Sequence, residues 1–92
     1  MWYVYMIQCA DRSLYTGTTT DISRRVNEHN SGKGGRYTRI RIPVKLVYQE
    51  PCSNRSEALK REIEIKLLSK ERKPALIKET VQGLGNPKNR KS

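Results

Sequence analysis

Two apolar and aromatic runs open the chain, "WYVYMIQ" from Trp2 to Gln8 and "LYTGT" from Leu14 to Thr18, with the polar break "ADRS" between them. β-Branched and aromatic side chains suit a pleated, half-buried surface, and a short polar interruption between two such runs marks a β-hairpin. Thr20 and Asp21 follow as N-cap residues, no Gly or Pro interrupts the next turns, and "NSGKGG" closes the segment with glycines. Asp21 to Ser31 therefore predicts a short helix. Lys33 to Arg41 reads as a connection, first glycine-rich and then arginine-rich. After Pro43, Val44, Leu46 and Tyr48 alternate with Lys45, Val47 and Gln49, which is the period of a third strand. Asn54 and Glu57 stand in capping-box spacing ahead of a helical pattern that breaks at Ser69 and restarts at Pro74, so a long helix and a shorter one complete the order. The sum, β-β-α-β-α-α, predicts an α+β (mixed α/β) fold in which helices flank a small sheet of three strands. Residues 1–80 form the expected domain, and 81–92, rich in Gly, Pro and cations, the expected mobile basic tail.

Polar groups fall where a core should be. On a helical wheel Ile22, Arg25, Val26 and His29 share one face of the first helix, while Arg24, Asn27 and Glu28 turn away. In the long helix Leu59, Ile63 and Leu67 form one apolar line and Ala58 and Ile65 another, with Glu62 and Lys66 between them. A carboxylate set in an apolar face has to be paired, protonated, metal-bound or opened to a cleft, because an unpaired buried charge is costly. Glu62 and Lys66 also fit an ordinary i,i+4 surface ion pair, a lone histidine fits a structural role, and strand tyrosines fit packing. Taken together, the tyrosines, Arg25, His29 and Glu62 make a set able to bind a phosphate and a hard cation. Phosphodiester hydrolysis needs an activated water, neutralised phosphoryl oxygens and help for the leaving oxygen, and these residue types supply each.

Composition narrows the partner. A chain of 92 residues with 35% apolar residues and no Phe can build one modest core, and its formal charge of +10 calls for an acidic partner, nucleic acid first. No leader pattern opens it and no window has the apolar length of a bilayer span, so a soluble, cytoplasmic protein with no membrane association and no obligate protein partner is expected. Cys9 and Cys52 lack metal-site spacing and read as small buried hydrophobes.

"YVY" at Tyr3-Val4-Tyr5 and "YTG" at Tyr15-Thr16-Gly17 resemble the paired signature of the GIY-YIG nuclease superfamily. Arg25, His29 and Glu62 follow in the order and spacing of that superfamily's arginine, its His or Tyr, and its metal-binding glutamate. The likeness runs from Trp2 to about Glu79, and the chain is similar to the small single-domain bacterial members. It departs at Tyr3 and Val4, at Thr18 where repair nucleases carry lysine, and after Lys73-Pro74, where the late asparagine has no counterpart. The resemblance implies a metal-dependent DNA endonuclease or nickase, with repair or recombination as its setting. Tyr5 or Tyr15 would be the general base, Arg25 would hold the scissile phosphate, His29 would assist the tyrosine, and Glu62 would ligate Mg²⁺, for which Mn²⁺ can substitute. Lys33, Arg36, Tyr37, Arg39 and Arg41, which follow the helix of Arg25 and His29, and Lys66 beside Glu62, are the expected substrate-binding residues. The competing expectation is a nucleic-acid-binding module, for DNA or RNA, that keeps the scaffold without cutting.

Overall fold

β1 (Trp2–Gln8) runs down the middle of a three-stranded antiparallel sheet, with β2 (Leu14–Thr19) on one side and β3 (Lys45–Cys52) on the other. These strands belong to a computed structural model that describes residues 1–68 and 72–83. The central place of β1 explains its nearly unbroken apolar run, since a strand covered on both faces has no solvent side to mark with polar residues. One face carries Val4 and Met6, which pack with Tyr48, Ala58 and Ile65; the other carries Tyr5, Ile7 and Cys9, which pack with Val44, Ile22 and Val26. Helix α1 (Ile22–Asn30) therefore covers the tyrosine face, and α3 (Arg55–Lys66) and α4 (Arg72–Gly83) cover the opposite one.

Local signals set the helix ends. The Asp21 carboxylate accepts from the Arg24 amide at 3.1 Å and the Asn54 side chain accepts from the Glu57 amide at 2.9 Å, so each cap occupies a donor that the first helical turn leaves unpaired. Pro74 lies in the first turn of α4, where its missing N–H costs no helical bond. The expected break at Ser69 falls outside the described residues. The basic tail expected from residue 81 begins within α4, which runs to Gly83, and residues 84–92 are likewise not described. Cys9 and Cys52 are free thiols at opposite ends of the sheet, Cys9 just past β1 and Cys52 paired with Trp2 at the other end.

Three expectations are corrected. The connection from Lys33 to Arg41 contains a one-turn helix, α2 (Arg36–Arg39). The alternation of β3 is broken, because Met6 pairs with Tyr48 while Ile7 pairs with Leu46, so Val47 is an inserted bulge residue and Leu46 and Tyr48 join opposite cores. In α3 the row Leu59, Ile63, Leu67 faces solvent at 37%, 59% and 80% exposure instead of packing. Ala58 and Ile65 anchor this helix, and the row rotates progressively away from them around the wheel, which the rising exposure follows.

Candidate active site

The glycine of "YTG" is explained by the ring across from it. Tyr5 pairs with Gly17 in the β1–β2 ladder, and a Cβ at residue 17 would stand 2.6 Å from the Tyr5 hydroxyl oxygen. Only a residue without a side chain lets the tyrosine lie over β2 toward α1. There its hydroxyl meets His29 Nε2 at 2.9 Å, and both side chains are buried. The other ring nitrogen, Nδ1, is 2.8 Å from Oγ1 of Thr38, a fully buried residue of α2. Tyr15 sets its ring edge-on against His29 with centroids 5.4 Å apart, and Tyr37 stacks on Tyr15 at 5.9 Å.

Arg25 sits one turn before His29. Its guanidinium donates to Glu28 Oε1 at 2.8 Å and to the Gly34 carbonyl at 3.2 Å, and it lies close enough to influence the Tyr5 phenol. Glu28 thus turns toward Arg25, although on the wheel it faces away, because a three-residue spacing brings the carboxylate within reach of the half-buried guanidinium. The pair shifts both partners in the charged direction: Arg25 is raised, chiefly by Glu28, and Glu28 is lowered, chiefly by Arg25. Burial raises the Tyr5 phenol, and Arg25 offsets part of that rise. Burial, with Arg25 close by, holds His29 below its ordinary value, so its imidazole is neutral at pH 7.

Glu62 approaches from α3. Its carboxylate is near enough to act on the Tyr5 phenol, its side chain is 17% exposed, and Lys66 Nζ pairs with it at 2.9 Å. The ordinary i,i+4 ion pair and the recessed carboxylate are therefore both present. Among the described residues no three His, Cys, Asp or Glu side chains converge as a metal cage. A single hard oxygen donor fits Mg²⁺ held jointly with substrate phosphate and water, and does not fit a resident ion held by protein alone.

Tyr5, Tyr15, Arg25 and His29, from three separate elements, meet at one phenol and one imidazole, and the Glu62 charge, from α3, is close enough to raise the Tyr5 phenol. Residues 1–75 match the GIY-YIG catalytic domain. The chain belongs to that family. A UPF0213 protein of Desulfotalea psychrophila is 60% identical to it over 83 residues, 89% of this chain and 76% of that protein. Another, from Staphylococcus saprophyticus, is 54% identical over 77 residues, 84% of this chain and 94% of that protein. The solution NMR structure of a UPF0213 protein from Bacillus halodurans superposes with a TM-score of 0.58 at 41% identity, covering 100% of this chain and 95% of that one.

The expected substrate-binding residues of this GIY-YIG domain divide into two groups. Lys33, Arg36 and Arg39 are exposed, as is Lys45 further along the chain, which was not among those expected, and none of the four has a side-chain hydrogen bond or ion pair among the described residues. Arg41 is engaged: it pairs with Asp11 at 3.0 Å, donates to the Tyr37 carbonyl at 2.8 Å and lies over the Tyr37 ring at 4.0 Å. Tyr37, between Arg41 and Tyr15, stacks within the protein, and Lys66 is held by Glu62. Sequence reasoning missed Thr38, Gly34 and Asn30. A Cβ on Gly34 would overlap the His29 imidazole, so the glycine run is a fitting surface for the site as well as a helix end. Asn30 exchanges two hydrogen bonds with the Val44 backbone, at 2.6 and 3.0 Å, and ties the end of α1 to the approach to β3.

Proposed function

We propose that this chain is a divalent-cation-dependent endonuclease or nickase that hydrolyses phosphodiester bonds in DNA. The observation that carries the reading is the buried Tyr5–His29 hydrogen bond with Arg25 beside it. A protonated phenol can take a proton from water only while it loses its own, and Tyr5 has a neutral imidazole to receive it. Tyr15 touches the same imidazole through its ring only, so the base is Tyr5, and the half-buried Tyr15 lines the approach. Arg25 offers its guanidinium to the phosphoryl oxygens once Glu28 yields. Glu62, released from Lys66, would hold Mg²⁺ or Mn²⁺ together with the substrate. The cation would supply charge neutralisation at the phosphate and a lowered pKa for its bound water.

A second reading, a module that binds DNA or RNA without cutting, is favoured by one feature: Arg25 and Glu62 are each already paired with an internal partner. Incubation of the purified chain with plasmid and branched DNA, in Mg²⁺ or Mn²⁺ against EDTA, separates the two. Metal-dependent nicking that disappears in Glu62→Gln, with DNA binding kept or strengthened, is the expected result. Binding without cleavage under every condition selects the second reading. A preference for branched or damaged DNA in the same panel would support a role in repair or recombination.

A further inference from the structure

His29 is the chain's one histidine, and both of its ring nitrogens face hydroxyls, Tyr5 at Nε2 and Thr38 at Nδ1. A neutral imidazole carries one proton, so one nitrogen donates and the other accepts. Which does which follows from the phenol. One hydroxyl therefore accepts from the ring and the other donates to it, so the better donor takes the unprotonated nitrogen. Among the described residues, His29 Nε2 is the one side-chain partner hydrogen-bonded to the Tyr5 hydroxyl. The phenol is a stronger acid than the Thr38 alcohol, and Arg25 offsets part of the rise that burial imposes on it.

We infer that Thr38 is a positioning residue: its oxygen accepts the Nδ1 proton of His29, which leaves Nε2 as the basic nitrogen aimed at Tyr5. The consequence for catalysis rests on the nuclease reading above, whereas the tautomer is a property of the resting protein. As the Tyr5 oxygen takes a proton from the attacking water, the phenolic proton passes to Nε2. Water is left as hydroxide, Tyr5 is unchanged, and His29 becomes an imidazolium whose Nδ1–H stays on Thr38. Losing the acceptor at Nδ1 would favour the opposite tautomer, in which Nε2 already holds a proton and can receive none.

Thr38 is well placed for this work. It lies in α2 behind the two glycines, its carbonyl accepts the Arg41 amide at 2.9 Å, and the segment is braced by the Gly34 carbonyl on Arg25 and by the Tyr37–Tyr15 stack. The same five-residue stretch therefore holds Arg25, His29 and Tyr15 at once.

Long-range ¹H–¹⁵N NMR of the imidazole tests the inference on the full chain without DNA or metal, and the single histidine leaves the assignment unambiguous. The wild type is expected to show a protonated Nδ1 and an unprotonated Nε2. Thr38→Ser should keep that pattern, and Thr38→Val, which preserves shape but removes the acceptor, should lose it. In cleavage assays Thr38→Val should lower kcat about 10–100-fold, the scale of a weakened acid–base step, with KM for DNA within about twofold, and Thr38→Ser should restore it. A wild type with Nε2 protonated overturns the inference whatever the DNA assay gives, even if Thr38→Val does not fold. A Thr38→Val protein that keeps the wild-type tautomer also overturns it. Absence of cleavage by a wild type with Nδ1 protonated counts against the nuclease reading and leaves the tautomer assignment standing.

Discussion

Arg25 meets a rival for any phosphate it binds, because the Glu28 carboxylate already holds one arm of its guanidinium at 2.8 Å. The pair is partly exposed, so the competition is mild. Glu28→Gln should lower KM for DNA about two- to fivefold, the scale of an exposed ion pair, and leave kcat unchanged. Steady-state cleavage measures it, and a raised KM would mean that Glu28 orients Arg25 for the phosphate. His29 gives a prediction of another kind. Its folded pKa lies below the ordinary 6.5, so between those two values the unfolded chain binds the extra proton and the folded chain does not. Stability attributable to this group is complete above the ordinary value and declines as pH falls toward the folded one. Melting temperature should be flat near pH 7 and drop as pH falls below about 6.5, where no other histidine titrates. Under the proposed mechanism cleavage should persist just below pH 6.5, because an imidazole with a lowered pKa is still neutral there and can receive the Tyr5 proton. A rate that halves near 6.5 would show that burial does not hold the ring neutral.

The hairpin and α1 were legible because their determinants are local: paired apolar runs, Asp21 as a cap, and a helical face that carries Arg25 and His29. Tyr5, Tyr15, Arg25, His29 and Glu62 could likewise be named as candidates from spacing and resemblance. The rest depended on where elements meet. Thr38 was hidden inside a basic stretch, because its role comes from the turn of chain that folds α2 back onto His29. The solvent-facing row of α3 resembles core in the sequence because a wheel reveals which residues share a face and not which face the sheet accepts. Val47 inverted part of β3 since a single inserted residue exchanges the two sides. Gly17 links this scale to the site. Gly17→Ala would push a methyl group into a phenol that His29 already fixes, so it should cost about 1–3 kcal/mol as an overpacked position. Activity should fall further than stability accounts for, because the displaced atom is the Tyr5 hydroxyl. Denaturant unfolding together with single-turnover cleavage separates the two losses, and a fully active Gly17→Ala would remove Tyr5 from the chemistry.

For the molecule as a whole, a formal charge of +10 predicts salt-sensitive binding to nucleic acid, and the structure indicates which cations are available for it. Arg36, Arg39 and Lys45 are exposed and unpaired among the described residues, and Lys33 stands with them just beyond the end of α1. Arg41 belongs elsewhere, since it ties the β1–β2 turn to α2 through Asp11 and Tyr37. Two variants should therefore behave differently. Replacing Arg36, Arg39 and Lys45 by Ala should weaken DNA binding across all sequences, and each phosphate left without its cation should flatten the slope of log K against log salt by roughly 0.7–0.9. Under the proposed mechanism turnover at saturating DNA should remain normal, because it assigns these side chains to the nucleic-acid backbone and the chemistry to Tyr5, His29, Arg25 and Glu62. Arg41→Ala should instead lower the melting temperature and barely alter the slope, because what it releases is an internal tie. Binding titrations from low to moderate salt measure both variants. A slope that falls for Arg41→Ala and not for the triple variant would place the DNA path along the β1–β2 turn, with Arg12 and Lys73 as the next cations to test beside it.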